Sequence, residues 1–217
     1  MTDADALFRR AHALMEKSDG GDALSAAATA MKAAADAGHA GAANNFGAML
    51  QHGRGVAEDL VEARRYYDQA AVAGLAIGQF NTGFMWLHGL GGEQRLDVAR
   101  AYFALAAEQG EVDALTHMGR MAMTGEGGGQ DFEAARTYWR RGAEAGDPRC
   151  AFNLGVAHAG GHGAPPDFPE ALAWFRTAAR LGSNEASEET AKLEAVMDAD
   201  EIAEAALRTR AYAQLIA

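Results

Sequence analysis

The sequence predicts an all-α protein, an α/α superhelix (solenoid) built from repeated helical hairpins. Three observations lead to this fold class. Alanine, the best helix former, is the commonest residue and β-branched residues are scarce. Small and aromatic residues recur with a period of 36 residues, and a period between about 20 and 50 residues is typical of repeat architectures. Within each period, apolar residues are spaced as on a helix.

The 36-residue repeat is defined by glycines that keep one register. One series contains Gly38, Gly74, Gly110, Gly146 and Gly182. Further series begin at Gly47, Gly53 and Gly55. Pairs of aromatic residues follow the same period at Tyr66-Tyr67, Tyr102-Phe103, Tyr138-Trp139 and Trp174-Phe175. Recurrence at so many positions indicates one supersecondary unit used several times.

Each repeat reads as helix, loop and helix. In the first, residues 39–52 lack helix breakers apart from small glycine positions, residues 53–56 form a loop, and residues 59–73 are helical again. Ala63, Tyr67 and Ala70 lie at i, i+4 and i+7 and therefore form one buried stripe. The repeat is thus predicted to be a helical hairpin.

The helix ends carry their own signals. Asp59 and Asp167 each precede an acidic residue three positions on, as expected of N-caps. Asp147 is followed by a proline at the first helical position, and Gly74 falls where a helix ends in a left-handed residue. Arg95 stands where the other repeats have an acid, so we expect a weaker cap there.

The glycine at position 47 and its equivalents have a packing role. We expect them to let the first helix of a hairpin approach the second closely, with an aromatic residue packed over the gap. A larger side chain at such a position would overpack the hairpin.

The repeated residues resemble a known family. Its pattern is clearest in the last full repeat, at Asn153-Leu154-Gly155, Gly161, Gly163, Asp167, Ala171, Trp174-Phe175, Ala178-Ala179 and Gly182. This resembles a Sel1-like repeat, a helix-turn-helix unit related to the tetratricopeptide repeat. The resemblance implies a single solenoid domain over residues 1–217. It divides into a degenerate N-terminal hairpin at 1–38, repeats at 39–74, 75–110, 111–146 and 147–182, and C-terminal capping helices at 183–217, the last one opening at Asp198.

Net charge argues against a nucleic-acid partner. The chain has 30 acidic and 19 basic residues, a formal charge of −11, whereas phosphate-binding surfaces are basic. The segment 183–217 holds a large share of this acidic excess, as suits a polar cap that ends the stack.

No membrane span is predicted. Residues 69–92 contain no Asp, Glu, Lys or Arg over a length sufficient to cross a bilayer, but they contain six glycines and belong to two successive repeats. The N-terminus puts acidic residues before arginine, unlike a secretory signal. Cys150 is the single cysteine and cannot form an internal disulfide. We therefore expect a cytoplasmic protein.

The family resemblance places the first helix of each hairpin on the concave side. The protein-binding residues expected in this groove are Asn45, Ile77, Phe80, Asn81, Phe84, Leu87, His88, Arg120, Phe152 and Asn153. Phe80, Phe84 and Leu87 share one helix face by their spacing. They either pack between neighbouring repeats or act as aromatic and aliphatic anchors for a peptide.

Polar residues recur at Asn45, Asn81, His117 and Asn153. Asparagine is unfavourable inside helices because its side chain competes for backbone groups, so this series needs an explanation. One alternative is that each side chain bonds a neighbouring helix or loop. The other is a ladder of amides that bonds the backbone of an extended ligand.

The sequence contains little evidence for a catalytic site. His158 and His162 have a zinc-binding spacing, but Gly160 and Gly161 lie between them and no third ligand is fixed nearby. Residues 125–129 are a glycine-rich loop without the lysine of a phosphate-binding loop. We therefore predict no catalytic residue, no metal site and no cofactor.

The function expected is that of a non-enzymatic adaptor. It would hold a peptide or protein segment in the concave groove and link it to a bacterial signalling, envelope-regulation or localisation complex. Self-association of the chain is an open alternative occupant of that groove. The alternative function is a hydrolase or small-ligand binder, since some Sel1-like proteins are described as binding penicillin-type compounds. Those forms have paired cysteines in each repeat, a pattern from which the single Cys150 departs.

Overall fold

A computed structural model describes residues 3–16 and 21–216 of the chain. Residues 1, 2, 17–20 and 217, which fall in the predicted N-terminal hairpin and C-terminal cap, lie outside the described residues. The helices are α1 (Asp3–Glu16), α2 (Gly21–Asp36), α3 (Ala40–Gln51), α4 (Leu60–Val72), α5 (Ala76–His88), α6 (Leu96–Glu108), α7 (Val112–Thr124), α8 (Phe132–Glu144), α9 (Pro148–Ala159), α10 (Phe168–Arg180), α11 (Asn184–Glu194) and α12 (Ala199–Leu215).

The predicted all-α class is confirmed: the regular elements over the described ranges are helices, without a strand among them. The chain forms two compact units, residues 1–111 and 112–217. In the first unit α1 packs with α2, α3 with α4 and α5 with α6. In the second unit α7 packs with α8 and α9 with α10. Successive pairs are therefore helical hairpins.

The predicted helix starts are confirmed. Oδ1 of Asp59 accepts hydrogen bonds from the N–H groups of Val61 and Glu62, at 3.1 and 3.0 Å. Asp147 and Asp167 cap α9 and α10 in the same way, and Asp198 opens α12 in a capping box. Arg95 forms no side-chain cap bond, as its residue type predicts.

The helix ends follow the glycine series that first revealed the repeat. Gly74 and Gly110 have φ angles of 84° and 85°, a left-handed conformation that side chains with a Cβ adopt only with strain. Because this conformation turns the chain sharply, the second helix of one hairpin leads directly into the first helix of the next.

Close glycine–aromatic contact holds the two helices of a hairpin together. A Cβ at Gly83 on α5 would lie 2.8 Å from Cδ1 of Phe103 on α6, closer than real Cβ contacts come. The same approach joins Gly47 to Tyr67, Gly119 to Trp139 and Gly155 to Phe175. The packing role predicted for these glycines is thus confirmed, and the aromatic rings fill the core of each hairpin.

The last two helices, α11 and α12, both pack on α10. The ring of Tyr212 on α12 stacks on that of Trp174 on α10 with centroids 4.0 Å apart. Beside this stack, the buried carboxylate of Glu170 accepts hydrogen bonds from the Trp174 indole N–H, the Tyr212 hydroxyl and the Arg208 guanidinium. A polar cluster inside the contact therefore fixes α12 against α10.

The uncharged segment at 69–92 is the end of α4, all of α5 and the loop that follows. Over the residues that the structure describes, no helix has both the length and the apolar character needed to span a membrane.

Candidate protein-binding surfaces

The aromatic stripe of α5 is divided between core and surface. Leu87 is only 5% exposed and belongs to the core. For this residue the structure therefore favours a packing role over that of a peptide anchor. Ile77, Phe80 and Phe84 are half-buried, and His88 is exposed at the end of the helix. A face of this kind offers two half-buried aromatic rings beside an exposed imidazole.

The two phenylalanines of α5 are held by their neighbours. The Phe80 ring lies 5.6 Å from that of Phe103 on α6 and 6.3 Å from that of Phe84, centroid to centroid. The Phe84 ring lies 4.4 Å from the His88 imidazole. Their conformations are therefore set by packing inside the first unit.

The asparagines of the first unit bond one another. The amide nitrogen of Asn81 on α5 donates to Oδ1 of Asn44 on α3 at 2.8 Å, and the Asn44 amide contacts Oδ1 of Asn45 at 3.4 Å. The first of these bonds ties the first helices of two successive hairpins together. The structural alternative for the series therefore accounts for Asn81, whereas the Asn45 side chain bonds its neighbour Asn44 within α3.

A small cavity of about 200 Å³ lies beside α3. Asn45, Ala48 and Met49 form its α3 wall, and Met15 and Arg54 complete it. Asn45 thus contacts Asn44 and also lines an opening at the surface of the first unit.

The second unit contains a larger cavity at the amino ends of α9 and α11, with a volume of about 550 Å³. We call it the α9–α11 cavity. Its lining residues are Thr116, Pro148, Arg149, Phe152, Asn153, Ser183, Asn184 and Glu185. It brings together two of the residues predicted to bind a partner, Phe152 and Asn153.

Phe152 and Asn153 present different chemistry to this cavity. The Phe152 ring is half-buried and lies 5.4 Å from the Phe175 ring of α10, centroid to centroid. Asn153 is also half-buried, and its side chain forms no hydrogen bond with the described part of the chain. The cavity therefore has a fixed apolar wall next to an amide with unused donors and an unused acceptor.

Ion pairs fix the Arg149 side chain at the edge of the cavity. Its guanidinium lies 2.6 Å from Oδ1 of Asp113 and 2.6 Å from Oδ2 of Asp147. Burial acts to raise the pKa of Asp147, but hydrogen bonds from Arg149 and from the Cys150 N–H outweigh it and lower that pKa. The positive charge of Arg149 is therefore already balanced by two carboxylates of the chain.

Arg120, the remaining predicted binding residue, lies near the end of α7. Its guanidinium forms an ion pair with Glu126 in the loop after that helix, and both side chains are partly exposed. The structure thus gives Arg120 a partner within its own hairpin and does not place it among the lining of the α9–α11 cavity.

Cys150, Asp113 and Arg120 have environments that suit structural roles. Cys150 is fully buried, and burial raises the pKa of its thiol to about 12, which keeps it protonated and unreactive. Asp113 and Arg120 are each engaged in a partly exposed ion pair. Across the described ranges no three His, Cys, Asp or Glu side chains are grouped as metal ligands.

A family model of the Sel1 repeat matches residues 40–75, 76–111, 112–147 and 148–183, about two thirds of the chain. The chain belongs to the Sel1 repeat family. The resemblance deduced from the glycines, aromatic pairs and asparagines is thereby confirmed.

Solved structures agree with this assignment. This Sel1 repeat protein is 27% identical to a Sel1 repeat protein from Oxalobacter formigenes, with a TM-score of 0.79 over 86% of this chain and 76% of that one. It is 25% identical to a protective antigen of uropathogenic Escherichia coli with a Sel1-like repeat (SLR) fold. The TM-score is 0.83 over 97% of this chain and 46% of the antigen. An immunity protein from Pseudomonas aeruginosa, 20% identical over 100% of this chain and 81% of that one, has a TM-score of 0.52 and shows the fold alone.

Proteins built from Sel1 repeats generally mediate protein–protein interactions, and the fold is generally a non-catalytic scaffold. Among curated proteins, none is detectably similar in sequence to this one. The family therefore defines a class of function, and the partner has to be argued from the chain's own surfaces.

Part of the α9–α11 cavity in this Sel1 repeat protein was not anticipated from the sequence. Ser183, Asn184 and Glu185 lie in the segment interpreted only as a cap. The signal was present: Ser183 falls 36 residues after Asp147, the N-cap of α9, and it caps α11 by accepting a hydrogen bond from the Ala186 N–H at 3.3 Å. Helix α11 thus starts in the register of a first helix.

Proposed function

We propose that this protein is a non-enzymatic adaptor that binds a segment of another protein at the α9–α11 cavity. The observation that carries the proposal is the juxtaposition of Phe152 and Asn153 in one cavity of about 550 Å³. The family's general role in protein–protein interaction supports it.

The chemistry of the cavity suits a protein segment. Binding energy in protein interfaces concentrates in a few anchors that lie in well-packed pockets with a polar rim. The Phe152 ring, backed by Phe175, supplies a rigid apolar wall for one partner side chain. The Asn153 amide can donate to and accept from the backbone of an extended segment.

The first unit offers a second surface of the same type on α5. Its half-buried rings, Phe80 and Phe84, and the exposed His88 are proposed as an additional contact for the same class of partner. The concave groove, the contribution of Arg120 and self-association stay predictions. The solved structures compared above are bacterial, which supports a bacterial complex as the setting of this adaptor.

The proposal is tested by affinity capture with quantitative mass spectrometry. The baits are the parent protein, the variant Phe152→Ala and the matched control Phe168→Ala, which removes a phenylalanine from the surface of α10 in the same unit. We expect the parent and Phe168→Ala to recover the same proteins and Phe152→Ala to lose them. Equal recovery by all three baits would contradict the proposal.

A further inference from the structure

We infer that the segment bound at the α9–α11 cavity carries a basic side chain next to an apolar one. This inference rests on the proposed function and specifies the chemistry of its partner. It follows from the charges around the cavity and from the position of Glu185, a lining carboxylate that forms no ion pair with the described residues.

The cavity lining holds one basic and one acidic residue, Arg149 and Glu185, but only the charge of Arg149 is balanced by neighbouring side chains. Among the described residues of the lining, Arg149 is the only basic one, and it is already bonded to Asp113 and Asp147. Glu185 lines the cavity on the α11 side, is exposed, and forms no ion pair with any described residue. A cationic side chain that enters from α11 would therefore meet an unneutralised carboxylate.

The alternative of an anionic partner is less favourable. The amino end of a helix attracts anions, and α11 presents such an end to the cavity. However, Ser183 already takes the Ala186 N–H, and Glu185 places a negative charge within the first helical turn. An incoming carboxylate would also have to compete with Asp113 and Asp147 for Arg149, which those two residues bind at 2.6 Å.

The apolar requirement comes from the α9 residues of the lining. Phe152 projects from α9 one turn after Arg149, and Glu185 projects from the first turn of α11. A segment that occupies the cavity contacts both the aromatic ring and the carboxylate, because both line it. Asn153 also lines the cavity and can bond the backbone that connects the two side chains.

The test begins with a random dodecapeptide library displayed on phage and selected on the full chain. Peptides that bind Phe152→Ala equally well are discarded. We expect the retained sequences to be enriched in Lys or Arg beside an apolar residue and depleted of Asp and Glu. Retained sequences that are acidic, or that show no charge preference, would overturn this inference while leaving the proposed function standing. The absence of any Phe152-dependent sequence would overturn both.

A synthetic peptide of a retained sequence, blocked at both ends, then provides the quantitative measurement by fluorescence anisotropy. Glu185→Gln is expected to weaken binding by about two- to fivefold at low ionic strength, the range of a partly exposed ion pair. The difference should shrink as salt is added, because the charges are screened. The control Glu133→Gln, on the exposed face of α8, should leave the affinity unchanged. An equal effect of both substitutions, or none from Glu185→Gln, would contradict the ion pair.

Discussion

The amide nitrogen of Asn81 donates a hydrogen bond of 2.8 Å to Oδ1 of Asn44, which joins α5 to α3 across successive hairpins of the first unit. At the corresponding position of the second unit, the Asn153 side chain makes no such bond in the described chain and lines the α9–α11 cavity instead. Two asparagines of one series therefore have different environments.

This difference predicts that replacement by alanine lowers stability at one position and weakens partner binding at the other. Asn81→Ala should lower the free energy of unfolding by about 1 kcal/mol, because it leaves Asn44 without its partner. Asn153→Ala should change stability by less than that and weaken partner binding. Chemical denaturation and a binding titration on both variants check this. A stability loss for Asn153→Ala as large as that for Asn81→Ala would contradict the assignment.

The contact between Gly83 and Phe103 predicts that a larger side chain at position 83 destabilises the protein strongly. Gly83→Leu should lower the melting temperature markedly, with a loss of about 1–3 kcal/mol, because even a Cβ would lie 2.8 Å from the ring. Gly129→Ala is the matched control, since its Cβ would meet nothing within 4 Å. An unchanged melting temperature for Gly83→Leu would contradict the packing account.

The polar cluster at α12 predicts that Glu170 stabilises the C-terminal helix. Glu170→Ala removes the acceptor shared by Trp174, Tyr212 and Arg208, and should cost about 1–3 kcal/mol. Hydrogen exchange should accelerate in α12. The control Glu204→Ala removes an exposed partner of the same Arg208 and should cost less than about 1 kcal/mol. Similar exchange rates in both variants would show that the cluster does not hold the helix.

The lowered pKa of Asp147 predicts a pH-dependent contribution to stability. Because this pKa is lower in the folded state than its ordinary value of 3.8, the stabilisation is present above that pH and is lost as the pH falls through the folded value. Asp147→Asn should therefore be less stable than the parent at neutral pH, and the two should converge in acid. Denaturation at a series of pH values measures the gap. A gap that stays constant down to the most acidic pH would contradict the ionised role of Asp147.

The hairpin architecture could be predicted because its determinants are local. The helix starts at Asp59, Asp147 and Asp167 are predictable because these side chains accept hydrogen bonds from N–H groups of the first turn. Gly83 follows from a register that repeats along the chain. Each of these signals depends on a residue type that few alternatives can replace.

The surface was harder to predict because it depends on small rotations of helices. Phe84 and Leu87 lie less than one turn apart on α5, yet one is half-buried and the other is in the core. The pairing of Arg120 with Glu126 depends on how the loop after α7 folds back. The α11 wall of the cavity was missed because acidic composition favoured a cap, although Ser183 keeps the register of the N-caps.

Binding at the α9–α11 cavity is tested most directly by the dissociation constant of a captured partner, measured with the parent, Phe152→Ala and Phe168→Ala after thermal melting has shown that all three fold. We expect Phe152→Ala to weaken binding by about tenfold or more, mainly through faster dissociation, while Phe168→Ala has no effect. An unchanged constant for Phe152→Ala, or an equal loss for both variants, would contradict binding at the α9–α11 cavity.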